Sequence, residues 1–208
     1  MTNIHPRYRA SHVFNHESCS RDAMSIEIFL DYNCPYSGKM FKKIIEEVIP
    51  QLIKIDGNIN NYEFTFVNVI QPWHGIQSSI LHDVSFAISR VIPKAFYPIS
   101  KILFDNIEKF YDSEVIDKSR NEIVEEILQL IPGEIISSDG IKQIKDLLSL
   151  QGNGNIGNGV SIDNKYFTRY SRTLGIHMTP TVVVNGIIQS QIESSTESHK
   201  IIEILKNL

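Results

Sequence analysis

Cys34 stands where a short β-rich run, Ile26-Glu27-Ile28-Phe29-Leu30-Asp31-Tyr32, gives way to Pro35 and a helical pattern. Proline belongs in the first turn of a helix, where its missing N–H costs nothing. Cys34 therefore falls at or beside the N-cap, in front of unpaired N–H groups and the positive end of the helix dipole. A thiolate is favoured there, so the thiol's pKa is expected below the ~8.5 of a free cysteine. The competing reading is a small thiol packed at a helix start and chemically inert. Ser37 occupies the place of the second cysteine in a Cys-X-X-Cys motif. Its hydroxyl could donate to a thiolate, but it cannot resolve a mixed disulfide, so release of a partner would need an outside thiol.

A second group of residues, Met178-Thr179-Pro180-Thr181, precedes the apolar run Val182-Val183-Val184. Proline is tolerated at a strand's first position because no ladder N–H is lost there. A cis bond before Pro180 would turn the N–H and C=O of Thr179 toward the cysteine, where they could pair with an extended peptide or with glutathione. An ordinary trans proline at an edge strand is the plainer alternative. Trp73 and His74 follow the second strand, at the edge where parallel strands present ligand sites. Trp73 reads either as a substrate wall or, more commonly for a lone tryptophan, as a packing anchor. His74 could lower the thiol pKa or pass a proton. His177 could face the same site. His12 and His16 have metal-ligand spacing only on a helix, and their surroundings show no helical stripe.

These residues need elements to hold them. Residues 26–32 read as a buried strand. Met40, Ile44, Val48 and Leu52, broadened by Phe41, Ile45 and Ile49, form one buried helix face, and Pro50 should kink or end that helix near Ile49. Residues 63–70 read as a second strand, so the strand–helix–strand order predicts a parallel pair with a right-handed crossover. From about Ile80 to Leu150 the pattern is helical throughout and is broken by Pro93, Pro98 and Pro132-Gly133. Gln151 to Gly159 holds four Gly and three Asn in nine residues; it reads as a mobile surface loop, since no Gly-Lys-Ser/Thr follows to make a phosphate cradle. A helix follows from roughly Ile162 to Leu174, ended by Gly175. Then come a strand at residues 181–185, a tight turn at Asn185-Gly186, a return strand at residues 187–189, and an amphipathic helix at residues 200–208. The order is β-α-β, a helical block, then α-β-β-α: an α/β thioredoxin fold with a helical domain inserted after the second core strand. The expected division is 1–79 with 160–208 for the thioredoxin-like part and 80–159 for the insertion.

The motifs Asp31-Tyr32-Asn33-Cys34-Pro35-Tyr36-Ser37 with Lys39-Met40-Phe41, Gln71-Pro72-Trp73-His74, and Gly175-Ile176-His177-Met178-Thr179-Pro180-Thr181 with Asn185-Gly186 occur in this order. Together they resemble the DsbA-like thioredoxin-domain proteins of fungi and other eukaryotes, from about Pro6 to the last helix. The resemblance implies Cys34 as the thiol and Pro180 as the cis-proline. It implies Pro35, Tyr36, Trp73, His74 and Thr179 as the residues that would meet a partner. Ser37 departs from the two-cysteine oxidoreductases, which argues against dithiol oxidase activity. Three functions fit: monothiol disulfide exchange or glutathione-linked redox work at Cys34; a glutathione-dependent transferase or isomerase of the kappa-like type; or a redox-inactive peptide-binding module. A shared iron–sulfur cluster held with glutathione is a fourth.

Composition narrows the partners. The chain has 208 residues, 21% of them charged, and a net charge of −4 without long runs of one sign. Neither a nucleic-acid footprint nor a membrane-seeking patch is expected, and no stretch reaches the ~20 apolar residues of a membrane span. Residues 1–20 lack the apolar run of a secretory signal, so the expected location is cytoplasmic. With only two cysteines, Cys19 and Cys34, two free thiols are expected rather than a bridge. No bound cofactor or metal is expected. Glutathione is a possible co-substrate, and a thiol- or disulfide-bearing protein the alternative partner.

Overall fold

The computed structural model describes residues 4–208. A 3-10 turn (Pro6–Tyr8) and a helical turn, α1 (Arg9–His12), lead into strand β1 (Met24–Leu30). Helix α2 (Pro35–Lys43), a π turn (Ile44–Val48) and α3 (Ile49–Asp56) follow as one continuous rod, and β2 (Tyr62–Asn68) comes next. Between β2 and the next strand the chain is helical: α4 (Ile76–Val91), α5 (Phe96–Asp105), α6 (Asp112–Val115), α7 (Arg120–Gln129), α8 (Ser138–Leu148) and α9 (Ser161–Thr173). The chain finishes with β3 (Thr181–Val184), β4 (Ile187–Ile188) and α10 (Ser198–Lys206).

The four strands form one sheet in the order β2-β1-β3-β4. β1 pairs with β2 in parallel, from Met24 opposite Tyr62 to Leu30 opposite Asn68. β3 runs antiparallel to β1, and β4 to β3. All of β2 and all but the first residue of β1 are buried, so both faces of the sheet centre are covered. The polar residues that alternate along these strands, Ser25 and Glu27 in β1 and Glu63 and Thr65 in β2, are therefore buried as well. Asn185 and Gly186 both take positive φ, 50° and 83°, the geometry of a two-residue hairpin turn.

Of the two outcomes expected at Pro50, a kink or an end, the rod from Pro35 to Asp56 excludes the end. Pro50 does not end the helix. It has no N–H for the carbonyl four residues back, and its ring crowds that carbonyl. The π turn directly before it widens the coil, with Ile49 N–H bonding to Ile44 O, and the helix runs on until Gly57, φ 77°, terminates it. The same π turn explains the apolar stripe. Four-residue spacing drifts round a helix of 3.6 residues per turn, and one wide turn takes up the drift. Met40, Ile44, Val48 and Leu52 thus all reach the core, each worth roughly 1.5–3 kcal/mol of burial.

In the helical stretch, α4 is the hub and packs against α5, α7, α8 and α9. A capping box starts α7, with Ser119 and Glu122 bonding each other's backbone. Residues 151–156 are an exposed loop, closed by a bridge between Leu150 and Asn158. Gly175, φ 68°, ends the α9 segment and turns the chain toward residues 177–180.

Candidate active site

Three segments converge beyond the C-terminal end of β1. Cys34 takes the N-cap position of α2, with extended φ/ψ of −97° and 115° and Pro35 as the first helical residue. Asp31 O accepts its N–H at 3.1 Å, and its own carbonyl accepts from Gly38 N–H at 3.1 Å. The side chain is 2% exposed. It caps no helix N–H; its thiol instead donates to Thr179 O at 3.3 Å. The Thr179–Pro180 peptide is cis, so the carbonyl before the proline is the atom that meets the sulfur. Two further bonds tie the segments together. Asn33 Nδ2 donates to His74 O at 2.7 Å, and Gln71 Nε2 donates to His177 O at 3.0 Å.

Asp31, 0% exposed, ties the Cys34 segment to the turn after β2 and to α4. Asn33 N–H (2.9 Å) and Ser78 Oγ (2.7 Å) donate to Oδ1; Gln71 N–H (2.8 Å) and His74 Nδ1 (2.9 Å) donate to Oδ2. His82 Nε2 lies 3.4 Å from Oδ1. Burial opposes the charge, but the hydrogen bonds from His74 and His82 outweigh it and hold the carboxyl well below the usual range. Asp31 is therefore a fixed anion that positions its donors. With Nδ1–H spent on this carboxylate, His74 keeps Nε2 as its free ring nitrogen.

The polar network continues inward. His82 Nδ1 sits 2.8 Å from Asn68 Nδ2, Asn68 Oδ1 2.9 Å from His12 Nε2, and His12 Nδ1 2.7 Å from Ser11 Oγ. Both ring nitrogens of His12 are thus engaged inside the protein, where it packs against Phe96 and Phe167. Burial pushes its pKa down to about 3. His12 is a core residue, and His16 lies apart, 4.0 Å from Glu17. Among the described residues no cluster of metal-ligating side chains occurs.

The segments around the thiol expose four large apolar side chains. Tyr36, Trp73, Ile76 and Met178, spread over the three converging segments, are 64%, 66%, 76% and 72% exposed. The packing-anchor reading of Trp73 is overturned, because the short 3-10 turn Pro72–His74 holds it outward. Ser37 is fully buried, and its Oγ accepts from Asp31 N–H at 3.2 Å; no hydrogen bond joins it to the Cys34 sulfur among the described residues. His177 contributes its carbonyl, and its side chain is exposed.

Cys19 and Cys34 are both free. Cys19 Sγ lies 3.5 Å from Glu63 Oε2. Burial, reinforced by the Glu63 charge, pushes its pKa up to about 11.

No known family pattern matches the sequence, and no curated protein matches it. Solved structures do. A protein of Pseudomonas syringae provisionally assigned as a protein-disulfide isomerase superposes with a TM-score of 0.65 at 18% identity, over 90% of this chain and 96% of its own. MdbA, a thiol-disulfide oxidoreductase of Actinomyces oris, gives 0.62 at 13% identity over 96% and 86%. BdbD of Bacillus subtilis, in its oxidised form, gives 0.52 at 18% identity over 96% and 92%. The chain has the DsbA-like thioredoxin fold. In sequence, the thiol and Pro180 come from opposite sides of the helical stretch between β2 and β3.

The sequence pointed to Cys34, Ser37, Thr179 and Pro180, but it did not single out Asp31, Gln71, Ser78 or His82 as supports. Asp31 carried one signal, a carboxylate directly after a buried strand and three residues before the cysteine. His82 carried another, an imidazole within the buried face of α4.

Proposed function

We propose that this protein carries out thiol–disulfide exchange with a single thiol, Cys34, taking glutathione or a disulfide-bearing protein as partner. The observation that carries this reading is the cysteine at a helix N-cap in hydrogen-bond contact with the carbonyl before Pro180, with Ser37 where a resolving thiol would stand. Once Cys34 ionises, its sulfur no longer donates to Thr179 O, and that carbonyl is left to accept an N–H from an extended partner. The Cys34 thiolate attacks one sulfur of the partner disulfide, a new S–S bond forms to Cys34, and the other sulfur leaves as a thiolate. A second, external thiolate then attacks the mixed disulfide and frees Cys34. The exposed Tyr36, Trp73, Ile76 and Met178 supply an apolar rim for a partner segment. A cytoplasmic setting, with thiols kept reduced, suits a one-cysteine device.

The same rim favours a second reading, a redox-inactive module that binds extended apolar peptides. One substitution separates the two. After exposure to glutathione disulfide, the wild-type protein should accumulate a glutathione adduct on Cys34. Ser37→Cys should instead expel the glutathione and close an internal disulfide. A wild-type thiol that forms no adduct while the folded protein still binds an apolar peptide would establish the module in place of exchange.

A further inference from the structure

A cleft of about 720 Å³ lies away from the thiol, between the N-terminal residues His5–Tyr8 and the outer face of α9, and shares no lining residue with the site above. The volume suits a small organic ligand. No Asp or Glu lines it, although the chain carries a net charge of −4. Its charged lining residues are Arg7, Lys165 and Arg169. Lys165 and Arg169 stand four residues apart on one helix face, a like-charged pair that destabilises the helix. Among the described residues neither has an ion-pair partner. The acid closest in sequence, Asp163, is fully buried and taken up by ion pairs with Arg90 Nη2 at 2.6 Å and Arg7 Nη2 at 3.3 Å and by a hydrogen bond from Tyr8 OH at 2.8 Å.

The cleft also has aromatic walls held in place. The rings of Tyr166 and Tyr170 lie parallel within 7°, centroids 6.1 Å apart, and Tyr8 sits 4.8 Å from Tyr166. Each of their hydroxyls makes a hydrogen bond within the protein. Tyr170 donates to Glu27 at 2.6 Å, Tyr8 donates to Asp163, and Tyr166 accepts from His5 N–H at 2.5 Å. Three tyrosines and three cations thus line one cleft, and the Arg7 guanidinium lies 5.1 Å from the Tyr8 ring centroid.

We propose that this cleft binds a phosphate ester of a planar aromatic group, such as a nucleoside monophosphate. Lys165 and Arg169 take the phosphate and the tyrosine faces take the ring. Charge-assisted bonds from two cations are worth tenfold or more in affinity, so the test reads a ratio. Calorimetric titration of the whole protein with AMP at low ionic strength should show saturable binding. Adenosine and inorganic phosphate should each bind at least about tenfold more weakly, since each lacks one half of the recognition. The Lys165→Ala/Arg169→Ala variant should lose at least about tenfold in affinity for AMP. Both side chains are exposed and make no hydrogen bond among the described residues, so its melting temperature should stay near that of wild type. Absence of saturable AMP binding at millimolar concentration, equal affinity in the double variant, or phosphate binding as tightly as AMP would each overturn the proposal.

Discussion

Asp31 carries a charge with no exposure to water, and it does so because four hydrogen bonds and the nearby His82 converge on its two oxygens. Its stabilisation is fully present above the unfolded carboxylate pKa of about 3.9 and is lost as pH falls below that value. His12 acts at milder pH. An unfolded histidine takes up a proton near pH 6.5, whereas burial holds His12 neutral down to about 3. Between those values the unfolded chain binds the extra proton, so stability falls as pH falls, by about 1.4 kcal/mol per unit once well below 6.5. From pH 7 to 5 the expected loss from His12 is about 2 kcal/mol. Urea unfolding at the two pH values checks this: His12→Gln should start less stable yet show a shallower decline, and an unchanged pH dependence would remove His12 as the cause. These roles were closed to sequence reading for a physical reason. Asn68, which joins the two rings, lies 56 residues from His12 and 14 from His82, and a histidine within an apolar pattern does not reveal which distant polar atom completes it.

At the scale of elements, the residue that starts α4 also shapes the rim of the site. Gly75 takes φ 78° and ψ 171° as the N-cap of α4, directly after Trp73 and His74, in a region of backbone space that is essentially glycine-only. A Cβ there would collide with the Gln77 amide and sit 2.7 Å from Asp112 Oδ1, displacing the 2.7 Å bond that joins those side chains. Gly75→Ala should therefore cost about 1–3 kcal/mol, measured as a fall in the urea midpoint. A change within about 0.5 kcal/mol, the range of an ordinary surface substitution, would show that the turn relaxes freely. Element order, the parallel β1–β2 pair and the Asn185-Gly186 turn were legible because each depends on local period or turn chemistry. The continuation past Pro50 was not. It depends on a π turn whose signature, four-residue apolar spacing, reads equally as an ordinary helix stripe. The packing-anchor reading of Trp73 failed for the opposite reason: nothing local says whether a short 3-10 turn points its tryptophan inward or outward.

Across the whole molecule the fold brings a helix start, the turn after β2 and the segment before β3 to one place, and residues from 31 to 180 meet around one sulfur. The two cysteines serve apart. Cys34 is placed against Thr179 O, whereas Cys19, with its pKa pushed up to about 11, holds only about one thiolate per thousand molecules at pH 8. No helix among the described residues is long and apolar enough to cross a membrane. The most direct measurement is intact-protein mass spectrometry of the folded chain after incubation with glutathione disulfide at pH 8, with Cys34→Ser and Cys19→Ser alongside. Wild type and Cys19→Ser should each gain one glutathione, lost again on adding excess thiol, and Cys34→Ser should gain none. An adduct that persists in Cys34→Ser, or a folded wild-type protein that takes up no glutathione at all, would contradict the account.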